Sequence, residues 1–157
     1  MRYDRYRAVE YARRWALGRN PRYYDFSMLG GDCTNFASQC IYAGCGVMNY
    51  TPVTGWYYIS ADNRTPSWTG VEELFRFLVN NRGAGPRAAV VPLVAIREGD
   101  IVQIKFQGGE RFSHTPVVIS AGRGTPETVL IAAHSRDSLD RPLSTYDYSG
   151  LRPLHIF

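Results

Sequence analysis

Gly30-Gly31-Asp32-Cys33-Thr34-Asn35-Phe36-Ala37-Ser38-Gln39-Cys40 is the stretch on which the fold and the chemistry of this chain turn. Asp32 suits the N-cap of a helix running from Cys33 to about Ala43, with Gly44 and Gly46 to end it. Cys33 then stands at the first helical residue. Unpaired N–H groups and a partial positive charge gather there, which favours a thiolate over a thiol. The same N–H groups can hold an oxyanion, and the two glycines let a substrate backbone come close. Asp32 pulls the other way, because a carboxylate beside a thiolate raises its pKa, so an imidazolium partner is needed. The competing reading of Cys33 is a small buried hydrophobe, and it is the preferred reading of Cys40 and Cys45. Two helical turns separate Cys33 from Cys40, too far for a disulfide.

Upstream, Ala8, Tyr11, Ala12 and Trp15 recur at i, i+3, i+4 and i+7, which predicts a helix over about the first seventeen residues, stopped by Gly18 and Asn20-Pro21. Downstream, Met48 to Ser67 reads as an aromatic-rich irregular loop. Ser67 or Thr69 is positioned to cap a helix over Val71, Leu74, Phe75 and Leu78 to Asn80. The period then changes. Asp100–Phe106, His114–Ser120, Thr128–His134 and Leu154–Phe157 read as strands between glycine-rich turns. Helices first and strands afterwards predict an α+β fold, N-terminal helices packed on a C-terminal antiparallel sheet. The 157 residues suffice for one domain, 1–157, with its own core.

Composition narrows the classes. The net charge is +4 and Lys105 is the only lysine, but the arginines are scattered, with no recognition motif, so nucleic acid is not the expected partner. No apolar run has the length of a membrane span. The arginine-rich first nineteen residues hold no secretory signal, so export or cell-wall association would require a leader or upstream region outside this sequence. Three cysteines, an odd number, exclude a complete disulfide framework. Neither a metal site nor a cofactor is expected, and Asp137, Asp140 and Asp147 have no spacing that singles out a glycosidase pair.

A base for Cys33 must be His114, His134 or His155. A hairpin centred near Gly124 sets His114, at the start of one strand, opposite His134, at the end of the next. One can then act on the thiol while the other orients it, as a triad requires. Pro116 lacks a ladder donor, so a bulge or an edge strand is expected beside His114. His155 reads as structural.

Asn20-Pro21-Arg22-Tyr23-Tyr24-Asp25-Phe26 and the GGDCTNF segment resemble the bacterial family called the putative amidase domain. Trp56-Tyr57-Tyr58, Ser67-Trp68, Gly99-Asp100-Ile101-Val102-Gln103, His114-Thr115 and His134-Ser135-Arg136-Asp137 follow in the family's order. That family is similar to the CHAP and NlpC-type cell-wall cysteine amidases and peptidases, which implies a papain-like cysteine hydrolase fold. The resemblance implies Cys33 as nucleophile, His114 as base and His134 as the orienting residue, with Asp137 competing for that role. Asp32, Thr34 and Asn35 would flank the nucleophile.

The expected activity is hydrolysis of an amide in a peptide or in peptidoglycan through a thioester. Acyl transfer by the same residues, or a non-catalytic wall- or peptide-binding module, are the alternatives. Tyr23, Tyr24, Trp56, Tyr57, Tyr58 and Trp68 are candidates to line the substrate groove, against the alternative of aromatic core packing.

Overall fold

Asp4 opens the first helix: its carboxylate accepts from the Arg7 amide, and α1 runs Arg5–Trp15 in this computed structural model, which describes Met1–Phe157. Ala8 and Ala12 form its buried stripe, and small residues there let it lie close on α2 (Cys33–Cys45). Gly44 sits inside α2 at that crossing, where a Cβ would come within 2.5 Å of the Tyr3 ring and 2.9 Å of the Asp4 carbonyl oxygen. The helix therefore continues past the predicted Ala43, and Gly46, at φ 67°, caps it.

Neither Ser67 nor Thr69 caps the next helix. Pro66 takes the first position of a one-turn helix, α3 (Pro66–Thr69), and the Ser67 hydroxyl is spent on Gly55 O at 2.6 Å. Extended Gly70 then restarts the chain as α4 (Val71–Asn80), with Glu72 and Glu73 in its first turn. The stretch read as a loop also contains a small hairpin, β1 (Tyr58–Ser60) with β2 (Asn63–Arg64).

The main sheet has six antiparallel strands: β3 (Ala88–Val90), β4 (Ile101–Phe106), β5 (Val117–Ser120), β6 (Leu130–Ala133), β7 (Ser138–Pro142) and β8 (Tyr148–Ile156). Their spatial order is β3-β8-β4-β5-β6-β7. Two of these strands, β3 and β7, go beyond the sequence reading, and β8 starts six residues before the expected Leu154. Short β3 and polar β7 carry no alternating apolar pattern. The β6–β7 turn is made by Ser135 and Arg136, both left-handed at φ 64° and 62°, where glycine or asparagine is the usual signal.

Two apolar layers cover the sheet. Helices α1, α2 and α4 pack one face through Phe36, Ile41, Leu74 and Leu78 against Ile101, Val117, Ala132 and Leu154. Leu143 and Tyr146 close the other face over Val102, Ile104, Val118, Ile131 and Ala133. Trp56 and Trp68, proposed above as groove residues, are 0% exposed in the helical layer. Their indoles donate to Ser38 Oγ and Asn35 Oδ1, so the polar edge of each ring is satisfied inside the core.

The hairpin register differs by one residue from the expected one. Val117 pairs with Ala132, where opposed histidines would need Ile131. A second irregularity follows between Val118 and Ser120. Pro116 is the origin: with no N–H to give, it interrupts the strand, its carbonyl accepts from Val102, and His114 is left in an isolated bridge to Ile104. Because β5 lies between β4 and β6, the proline makes a break within an interior strand and not an edge. One residue of slip sends the two histidines to opposite faces of the sheet.

Candidate active site

Cys33 starts α2 as anticipated, after Gly30 and Gly31 at φ 85° and 102°, conformations open to glycine. The N–H groups of Cys33 and Thr34 have no backbone acceptor, as befits the first turn of a helix, and the Thr34 amide turns toward the Cys33 thiol. The thiol is 8% exposed and contacts Thr34 Oγ1 at 3.7 Å. The Thr115 amide also reaches it, and the Thr34 and Thr115 hydroxyls meet at 3.0 Å, tying the helix start to the segment that follows His114.

Cys33 and His114 line one cavity of about 480 Å³, together with Phe106, Arg141, Thr145 and Tyr146. No hydrogen bond joins the thiol to the imidazole. His114 Nε2 lies 3.3 Å from the Tyr146 hydroxyl, and Nδ1 makes no hydrogen bond. Burial, seconded by the Arg141 cation, pushes the imidazole down to about 4. Burial also pushes the Cys33 thiol up, opposed by hydrogen bonds from Thr34 and from the Thr115 and Thr34 amides, with Asp32 adding to the rise. The expected thiolate–imidazolium pair is thus replaced at rest by a neutral thiol and a neutral imidazole, because both groups are withdrawn from water.

His134 stands elsewhere. Its ring stacks on Phe36 with centroids 4.0 Å apart, Nδ1 meets Asp32 Oδ2 at 2.5 Å, and Nε2 meets Trp15 O at 2.8 Å and Arg19 Nη1 at 3.1 Å. With these partners on the helical face, it does not touch His114, which corrects the expected facing pair. Asp32 is wholly buried and does not cap α2 with its side chain. Its carboxylate accepts from the Phe26 amide at 2.8 Å and from Asn35 Nδ2 at 2.9 Å. Asn35 is held besides by Tyr24 O and the Trp68 indole, so neither of its ends is free for an oxyanion. Asp137 forms a bidentate pair with Arg19 at 2.9 and 3.0 Å, on the side of His134 and away from His114.

Among the remaining groove candidates, Tyr23 stacks on Trp68, Tyr58 is buried, Tyr57 is half-buried and Tyr24 is 49% exposed. None of them lines the Cys33 cavity. Arg141 and Tyr146, which do, were missed. A lone arginine or tyrosine has no diagnostic spacing, and both are brought in by β7 and the turn after it. No group of three His, Cys, Asp or Glu side chains is arranged to hold a metal ion.

The amino-acid sequence has relatives. The chain is 35% identical over 154 residues to the "Uncharacterized protein YhbB" of Bacillus subtilis strain 168, covering 96% of this chain and 47% of that protein. The chain therefore spans about half the length of the curated relative it matches. No solved structure gives a significant match. Residues 2–157 match the family described as "Putative amidase domain", a name that denotes amide hydrolysis, and the chain belongs to that family.

Proposed function

We propose that residues 1–157 form a single papain-like cysteine amidase domain in which Cys33 and His114 are the reacting pair. One observation carries this reading: the thiol at the start of α2 and the imidazole ahead of β5 open into the same cavity. As the sulfur attacks the amide carbonyl, its proton passes to His114 Nδ1, the nitrogen without a hydrogen bond. The Cys33 and Thr34 N–H groups, which have no backbone acceptor, receive the oxyanion. Protonated His114 then gives its proton to the departing amine, the C–N bond breaks and a thioester remains. Water attacks the thioester, His114 takes the water proton, and the acid leaves as the thiol is restored.

Tyr146, in place of His134, orients the imidazole through Nε2. His134 serves at one remove: clamped to Asp32, it fixes the residue from which α2 starts. A neutral resting pair still supports this chemistry, since proton transfer can accompany attack. A peptide or peptidoglycan amide is the substrate class that the family resemblance favours.

The test is a Cys33→Ala and a His114→Ala variant assayed on peptide and peptidoglycan amides, with mass spectrometry of the trapped acyl-enzyme. Loss of turnover by at least about 10³-fold in both, with an acyl adduct on Cys33 in the parent, is expected. Undiminished turnover in Cys33→Ala overturns the reading. Product analysis with added amines separates hydrolysis from acyl transfer.

A further inference from the structure

Arg141 is a cation without an anion. Its Nε donates to Thr145 Oγ1 at 2.6 Å, Nη1 reaches Ser138 Oγ at 3.4 Å, and Nη2 reaches Thr145 O at 3.3 Å. The guanidinium carbon lies 3.7 Å from the centre of the Tyr146 ring. These contacts fix the plane of the guanidinium while leaving its charge unmatched. The contrast is with Arg5, Arg19 and Arg152, each of which meets a carboxylate within 3.0 Å. Asp147 lines the same cavity yet forms no ion pair with Arg141. A rigid, unpaired guanidinium at the wall of a cavity matches a carboxylate, which it can bind in a fork. The cavity volume, about 480 Å³, lies in the range that small ligands occupy.

We propose that Arg141 is the specificity residue of this cavity and binds a carboxylate on the substrate close to the scissile amide, so that the favoured substrates are acidic N-acyl amino acids and peptides. The inference rests on the reading of Cys33 and His114 as the reacting pair. It adds a link between recognition and reaction. The titratable and charged groups that line the cavity with His114 are Cys33, Tyr146, Arg136, Arg141 and Asp147. Of these Arg141 is the cation that helps hold the imidazole neutral. A carboxylate seated on Arg141 offsets that cation and makes His114 a better base when the right substrate is bound.

Two haloacetyl reagents of nearly equal size test it. Iodoacetate carries a carboxylate and iodoacetamide does not. In either case the Cys33 sulfur bonds to the methylene carbon, iodide leaves, and the thiol proton passes to His114 or water. The ratio of the two Cys33 labelling rates, read by peptide mass at one pH, cancels the reactivity of the thiol itself. Arg141→Gln is expected to lower the iodoacetate-to-iodoacetamide ratio about tenfold, and Arg141→Lys to restore most of it. Raising the salt concentration on the unmutated protein should lower the ratio too, with no substitution to disturb the fold. A ratio unchanged within about twofold in Arg141→Gln, or insensitive to salt, overturns the proposal.

An independent measurement needs no thiol. In Cys33→Ser protein, N-acetylglycinate at constant pH should shift the His114 ring resonances, N-acetylglycinamide should not, and Arg141→Gln should abolish the shift. Equal response to the acid and the amide overturns the carboxylate site. A carboxylate response together with an unreactive Cys33 in the parent leaves Arg141 as an anion site and overturns the amidase reading instead.

Discussion

His134 reaches Asp32 and His155 reaches Asp100, each carboxylate being met also by an arginine, Arg19 and Arg5 respectively. His114 has a phenol, a guanidinium and a nearby thiol for neighbours, and no carboxylate bonds to it. That difference sets His114, the proposed base, apart from the other two imidazoles. It also has a measurable consequence. A histidine in the unfolded chain takes up its proton near pH 6.5, whereas buried His114 resists until about 4. Between these values the unfolded state binds more protons. The contribution to stability is therefore complete above pH 6.5 and is lost as the pH falls toward 4. It amounts to roughly 3 kcal/mol. Urea unfolding at pH 7 and pH 4.5 should show a smaller acid loss in His114→Gln than in the parent. Tyr146→Phe removes the Nε2 partner and nothing apolar, so kcat should fall about tenfold with KM nearly unchanged. Cys33 was legible because a helix start announces itself locally in Gly-Gly-Asp. Tyr146 was not, because its neighbour His114 lies 32 residues away in the chain and only the fold joins them.

At the scale of elements, the three longer helices were foreseeable from their 3.6-residue period and glycine stops, and four strands from their apolar runs. The hairpin register was not, since one missing N–H at Pro116 resets it and no residue in the turn records the shift. The role given to His134 fell with that register. Gly44 was read as a helix stop when its true constraint is space: the Tyr3 ring and the Asp4 carbonyl, just ahead of α1, occupy the volume of a side chain. Gly44→Ala should accordingly destabilise the protein by about 1–3 kcal/mol, although alanine is the better helix former, and thermal unfolding would show it.

Over the whole molecule, the beginning and end of the chain meet at one buried carboxylate. Asp100 accepts from Arg5 Nη1 at 2.7 Å, from the Arg97 amide at 2.8 Å and from the Ile156 amide at 2.9 Å. Helix α1, the start of β4 and the end of β8 are thereby fastened together. Asp100→Ala would leave a largely buried guanidinium and two amides without their acceptor, a loss of about 3–5 kcal/mol that lowers the urea midpoint. Asp32 does the same at the start of α2 with Arg19, His134 and the Phe26 amide. The Gly-Asp pairs at 31–32 and 99–100 stood out in the sequence as motif residues, and both carboxylates prove to be architectural. Their function is to hold still what lies beside them.

The seclusion of Cys33 has a further meaning in an oxidising medium. Peroxide attacks the deprotonated sulfur, and burial keeps this sulfur protonated while limiting access to it. Cys40 and Cys45 are buried and protonated in the same way, and all three thiols are unpaired. The protein should therefore tolerate air and dilute hydrogen peroxide without an added reductant. Sulfenylation of Cys33 should accelerate once urea opens the fold at neutral or mildly alkaline pH.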